Sequence, residues 1–161
     1  MKVVVVDVSS IQSYVFGSNL LRENIGASHL VSMASDRWVR ESLKDCPGAR
    51  LVYAAGGNAV VEFDDDTQVP VFSRMLSHLV ITRAPGLNVV LGSGECDGRR
   101  NLALGTLRAF RDAADRKQST APDAPLMGLG VTTACRSTGL AAVGMTDMVG
   151  EDLSTVVEAS A

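Results

Sequence analysis

The run from Lys2 to Val8, KVVVVDV, constrains the fold more than any other stretch of the chain. Its consecutive β-branched residues leave no polar face, the pattern of a strand covered on both sides and therefore central in its sheet. Asp7 is the one acidic residue in the run, and Ser9 and Ser10 end it. At 161 residues and 46% hydrophobic content, the chain is long enough to build one domain around such a strand, burying roughly 70% of its unfolded surface. The apolar run is too short for a signal peptide or a membrane span, so no membrane partner is expected.

The remaining elements follow in order. Ser10 to Asn24 mixes turn and apolar residues and reads as a connector, with a short helical turn, a break at Gly17-Ser18 and a second turn. From Gly26 a helix is predicted on the stripe Ala27, Leu30, Val31, Ala34 and Trp38, stopping near Cys46-Pro47-Gly48. Leu51–Ala55 and Ala59–Phe63 read as a hairpin around Gly56-Gly57-Asn58, residues that tolerate positive φ. Asp64 to Asp66 lead into a helix with Phe72, Met75, Leu76, Leu79 and Val80 inward. Ala84-Pro85-Gly86 ends that helix, and Leu87 to Leu91 reads as a fourth strand. Asp97 then caps a helix running to about Lys117, with Ala103, Leu107, Phe110 and Ala114 inward and Arg99, Arg100, Arg108, Arg111 and Arg116 outward. Leu126 to Thr133 reads as a fifth strand.

This order predicts an α+β domain of ferredoxin-like βαββαβ type, with an antiparallel sheet, helices on one face, and an added helix and strand. The domain is expected to span residues 1–145, with 146–161 a polar tail or the start of a linker. In that topology the first and third strands lie side by side, so Asp7 is brought next to Gly56-Gly57-Asn58.

Charge and cysteine usage exclude several function classes. Lys and Arg total 15 against 18 Asp and Glu, a formal charge of -3, so nothing global marks a nucleic-acid coat protein. Cys46, Cys96 and Cys135 are odd in number and far apart, which fits neither a disulfide framework nor a self-contained zinc site and suits a reducing cytoplasm. The arginine-bearing helix is diluted by Glu95, Asp112 and Asp115 and has no interleaved aromatics, so a solvated face is the reading preferred over a nucleic-acid surface. His29 and His78 each stand alone on a helix, without a second ligand at metal spacing.

The stretch DVSSIQSYVFGSNLLRENIGASHLV, followed by YAAGGNAVVEF, resembles the palm domains of the large polymerase-cyclase subunit of type III CRISPR effector complexes. The resemblance lies in the pattern of Asp7, Ser9, Ile11, Gln12 and Tyr14, in Arg22 and Gly26-Ala27-Ser28, and in the Gly-Gly hairpin. GLGVTTACRSTGLAA, from Gly128 to Ala142, is similar to a later segment of that family. Members have two palms, and the resemblance implies that the catalytic one carries Gly-Gly-Asp-Asp at this hairpin to hold magnesium and ATP. Here Asn58 and Ala59 stand in the places of the two aspartates, so the chain is closer to the non-catalytic palm.

Two-metal phosphoryl transfer needs carboxylates around magnesium. Asp7 offers one and is the candidate metal ligand, Asn58 offers a neutral oxygen, and Ala59 offers nothing. What remains is a nucleotide cradle in which Asp7, Ser9, Ser10, Gln12, Ser28, Gly56, Gly57 and Asn58 are the candidate binding residues. The bland alternatives stay open: an ordinary hairpin turn, Asp7 capping the turn that follows it, and Tyr14 packing in the core. No catalytic residue is assigned. The expected ligand is ATP or a related purine nucleotide with Mg2+ held mainly by its phosphates. The expected partners are a second palm domain or CRISPR effector subunits, and the expected setting is prokaryotic antiviral defence. The unfinished look of residues 145–161 suggests a segment of a longer chain. Two rival readings remain: a self-sufficient nucleotidyl cyclase acting as a homodimer, and a palm-shaped scaffold with no ligand.

Overall fold

The computed structural model describes residues 1–98, 101–119 and 134, together with the strands at 142–147 and 154–158. The predicted strand at 126–133 and Cys135 lie outside the described residues, as does almost all of 128–142. The elements run β1 (Lys2–Ser9), α1 (Ile11–Val15), α2 (Leu21–Ser35), α3 (Arg37–Leu43), β2 (Ala49–Ala55), β3 (Asn58–Phe63), α4 (Gln68–Arg83), β4 (Asn88–Glu95), α5 (Leu102–Ser119), β5 (Ala142–Asp147) and β6 (Ser154–Glu158). β1 to β4 form an antiparallel sheet in the order β2-β3-β1-β4, the ferredoxin-like arrangement. The valine strand sits inside this sheet: Val3, Val4, Val5 and Val6 are all buried.

Alternation along β1 divides the valines between two cores. Val4, Val6 and Val8 meet Val31, Ala34, Trp38, Phe72 and Leu76 from α2, α3 and α4, while Val3 and Val5 meet Val60, Cys96 and Ala109 on the other face. The helices of the ferredoxin-like core thus lie on one face, and the added α5 covers the other. That accounts for a strand with no polar side.

Three local expectations change. The helix predicted from Gly26 begins as α2 at Leu21, five residues earlier, and breaks at Asp36, where φ is -125° and ψ -72°. Ser35, whose hydroxyl donates back to the Val31 carbonyl at 3.2 Å, competes with the helical ladder just before the break. β4 continues through Gly92, Ser93 and Gly94 to Glu95, past the expected end at Leu91.

The third change is the inward face of α5. Gly105, Ala109 and Ala113 are its buried residues; of the predicted inward set, Phe110 is half-buried and packs on the Val3 and Val5 cluster, while Ala103, Leu107 and Ala114 are exposed. The reason lies in β4. A Cβ on Gly92 would fall 2.1 Å from the Ala109 carbonyl oxygen, and one on Gly94 would fall 2.2 Å from that of Gly105. Helix backbone rests on strand backbone, and only small residues at four-residue spacing permit that approach. The helix itself starts at Leu102, beyond Asp97.

Near the C-terminus, β5 pairs antiparallel with β6 in a separate two-stranded sheet. The expected domain limit at residue 145 therefore falls inside β5, and the segment read as a tail contains β6.

Candidate functional site

The site is built from the register of two strands. Asp7 lies directly opposite Asn58, and the Val8 amide donates to the Gly57 carbonyl at 2.9 Å. The end of β1 and the glycine turn therefore share one rim of the sheet. Gly56 and Gly57 have φ of 61° and 85°, the positive values that a two-residue type I′ hairpin requires at both positions. Ala55 pairs with Asn58 across the turn, so Asn58 is the first residue of β3 and not part of the turn itself. The two glycines serve the backbone, and the asparagine faces Asp7.

Alternation assigns each side chain to a face. Asp7, Ser9 and Asn58 point toward α5, on the side of Val5 and Val60. Val8 and Ala59 point into the core under α2 to α4, where Ala59 is fully buried. A longer side chain at position 59 would enter that core and not the rim. Of the two positions that differ from Gly-Gly-Asp-Asp, only Asn58 can address Asp7.

The Asp7 carboxylate is held by Lys117, from the last turn of α5, with Nζ 2.5 Å from Oδ2 and side-chain exposures of 33% for Lys117 and 19% for Asp7. Asn58 Oδ1 is buried and accepts no hydrogen bond among the described residues. Gly56 is open, with nothing within 4 Å of where a Cβ would lie. Gly57 is covered, since a Cβ there would fall 2.6 Å from Ile11 Cδ1.

The remaining candidates are distributed more widely than the sequence suggests. The Ser9 hydroxyl donates weakly to the Asn88 carbonyl at 3.4 Å. Ser10 adopts a left-handed φ of 57° at the head of α1, and its carbonyl accepts from Ser13 Oγ at 2.9 Å and from the Tyr14 amide at 3.0 Å. Gln12 is exposed on α1 and Ser28 is exposed on α2. Asp7, Ser9, Gly56, Gly57 and Asn58 thus gather at the rim, and α1, carrying Ser10 and Gln12 at its start, leans on the turn through Ile11. Ser28 sits on a helix that packs the opposite face of the sheet from the Asp7 side chain, so the eight residues do not form one continuous cradle.

The donor set does not suit a magnesium ion held by this chain alone. Magnesium demands several hard oxygen ligands in near-octahedral array. Here the one carboxylate is engaged by an ammonium, Asn58 contributes a neutral oxygen, and Ala59 is in the core. Among the described residues no cluster of three or more His, Cys, Asp or Glu side chains could hold a metal ion.

Elsewhere, Tyr14 packs against the larger core, and burial raises the pKa of its hydroxyl. Asp64, Asp65 and Asp66 lie at the far end of β3, where Asp65 accepts from the Thr67 hydroxyl at 2.6 Å and from its amide at 2.9 Å. A cavity of about 210 Å³ between α4 and β4 and a basic cleft of about 390 Å³ lined by Arg37, Arg40, Glu41, Lys44 and Arg83 contain none of the eight candidate residues in their linings. No helix among the described residues is long and apolar enough to cross a membrane.

Lys117 is the residue that sequence reasoning missed. Its signal was in the topology: β4 runs antiparallel to β1, so a helix returning along β4 must end at the rim where β1 ends. Composition treats such a lysine as one more solvated charge.

No protein-family model matches the chain, and a comparison with curated proteins found no relative. Solved structures do match. A chain of the Csm1-Csm4 cassette in complex with one ATP superposes with a TM-score of 0.62 at 15% identity, covering 78% of this chain and 21% of that one. The cassette in complex with cA4 gives the same values. Csm1 of T. onnurineus gives 0.56 at 16% identity, covering 76% and 20%. This chain spans about a fifth of the length of those chains. At such identities the likeness establishes the fold: this is a palm-type α/β domain of the kind found in Csm1.

Proposed function

We propose that this chain is a nucleotide-binding palm domain of a CRISPR-type polymerase or cyclase system in prokaryotic antiviral defence, acting as the non-catalytic half of a palm pair. The observation that carries the reading is the cross-strand pair of Asp7 and Asn58 beside the open Gly56, a polar rim built where β1 and the hairpin turn meet. The ligand class is ATP or a related purine nucleotide, supported by the Csm1-Csm4 cassettes solved with one ATP and with cA4. Magnesium would arrive on the phosphates of that nucleotide, since the chain's own oxygens do not make a site for it. Open backbone at Gly56, the Ser9 hydroxyl and the Asn58 amide would position the ligand.

A partner palm, as a second domain or another CRISPR effector subunit, would supply the acidic residues missing here. Leu21 and Ile25, one turn apart on α2, and Phe16 at the end of α1 are 75%, 63% and 70% exposed, apolar surface of the kind a protein partner covers. A second reading, a palm kept as a scaffold, is favoured by one observation: Ile11 closes over Gly57 and bars close approach to half of the turn.

Calorimetry with ATP, GTP and a cyclic dinucleotide separates these readings. Heat of binding for a purine nucleotide is expected in the millimolar range or tighter, and silence for all three would leave the scaffold. Labelled ATP incubated with the chain and magnesium is expected to yield no oligonucleotide. A product that disappears in Asp7→Ala would replace the proposal with a self-sufficient cyclase acting as a homodimer.

A further inference from the structure

Asp7, near the end of β1, and Lys117, in the last turn of α5, meet at the rim at 2.5 Å. The meeting is fixed by the way α5 is seated. Gly92 and Gly94 let the helix backbone touch β4, and the Asp112 carboxylate accepts from the Ser93 amide at 2.8 Å and from Arg116 Nε at 3.1 Å. A helix locked at van der Waals contact along β4 delivers its last turn to one place. Lys117 is therefore a positioned charge and not a freely sweeping one.

The electrostatic consequence is direct. One carboxylate and one ammonium in contact sum to zero charge, so a divalent cation approaching Asp7 finds little net attraction and must first displace the lysine. Among the described residues, the side-chain acceptor facing the same point from β3 is Asn58 Oδ1, which is neutral and accepts no hydrogen bond there. An ammonium carries three N–H donors, and the Asp7 contact occupies one of them. The others suit phosphate oxygens, which lysine binds as a compact point charge.

We propose that Lys117 is the resident cation of this site: its ammonium fills the place beside Asp7 that a divalent ion would have to take, excludes that ion, and offers its remaining donors to the phosphates of a nucleotide. The exclusion of the ion stands by itself, whereas the phosphate contact rests on the nucleotide-binding reading given above.

Manganese alone, added to the isotopically labelled chain, tests the first half through paramagnetic broadening of the amides of Val8, Gly57 and Asn58. The wild type is expected to show no selective broadening at millimolar manganese. Lys117→Met is expected to gain it, Lys117→Arg to resemble the wild type, and Lys117→Met combined with Asp7→Asn to lose it again. Selective broadening in the wild type, or none in Lys117→Met with its amide spectrum otherwise intact, overturns the exclusion. The second half is read from ATP affinity with chelator and with magnesium. The wild type is expected to bind about equally in both, and Lys117→Met to bind about tenfold more weakly in chelator, the scale of one charge-assisted hydrogen bond. Unchanged affinity in that variant overturns the phosphate contact. A wild type that binds no nucleotide in either buffer overturns the phosphate contact together with the nucleotide-binding reading, while the manganese result still decides whether Lys117 keeps the ion out.

Discussion

Toward α2, α3 and α4 the sheet is covered by large side chains: Trp38, Phe63, Phe72 and Leu76 are buried together, with the Phe63 and Phe72 rings 5.5 Å apart. Toward α5 it is covered largely by small residues and backbone, because Gly92 and Gly94 lie under Gly105, Ala109 and Ala113 at backbone contact, with Leu102 and Phe110 the larger helix residues that pack on the Val3, Val5 and Val60 cluster. The first face is filled by volume and tolerates small shifts between helices and sheet. The second has no compressible layer between helix and strand, so it fixes where α5 lies and where Lys117 arrives. The rim site inherits its geometry from the face with fewer large residues.

The comparison breaks most visibly under substitutions of opposite size. Phe72→Ala empties the larger core and should cost about 4 kcal/mol by chemical denaturation, the transfer term plus the cavity left behind. Gly92→Ala adds one methyl group and should cost about 3 kcal/mol or more, because the carbonyl it meets belongs to helix backbone and cannot rotate away. A neutral Gly92→Ala would show that α5 is not seated as closely as the strand glycines indicate.

A smaller effect sharpens the same point through pH. Burial disfavours the charge on Asp112, but the Ser93 amide and the Arg116 guanidinium outweigh it and hold the carboxyl below its ordinary value. A depressed carboxyl contributes stability that is complete above its unfolded value, about 3.9, and is lost as pH falls through the lower folded value. Asp112→Asn should therefore cost about 1–2 kcal/mol at neutral pH, the scale of one charged hydrogen bond at a partly exposed position. The deficit should shrink in acid, as measured by urea midpoints across that range. A deficit that stays constant down to the most acid point would mean that the carboxylate does not pin α5 to β4.

The two faces also differ in how far they can be read from sequence. Valine runs, the stripe through Leu30, Val31, Ala34 and Trp38, and the positions Phe72, Leu76 and Val80 announce the larger core, because burying big apolar groups leaves a periodic trace. The strand order followed from that trace, and with it the pairing of Asp7 and Asn58. The α5 face leaves the opposite trace. Its buried positions are glycine and alanine, which a hydrophobicity pattern scores as weak, while the larger Leu104 and Leu107 point outward. A pattern of large apolar residues accordingly rotates the helix about its axis and stops β4 short of its glycines. The same blindness hid Lys117, which matters only once the helix carrying it is docked. Ser28 was placed at the site by resemblance, although α2 lies across the sheet from the Asp7 side chain.

The finest discrimination comes from Leu107. If periodicity of large apolar residues decided the α5 interface, Leu107 would be core and Leu107→Gln would cost several kcal/mol. In the structure it is 47% exposed, while Gly105 and Ala109 on the neighbouring positions carry the contact. Leu107→Gln should then change stability by no more than about 0.5 kcal/mol, as surface substitutions do. Leucine and glutamine have similar helix propensities, so the helix itself gives no compensating signal. A large loss measured for Leu107→Gln would mean that the outer face of α5 is covered in solution, by another part of a longer chain or by a second protein. Such a loss would turn Leu104 and Leu107 from bystanders into an interface.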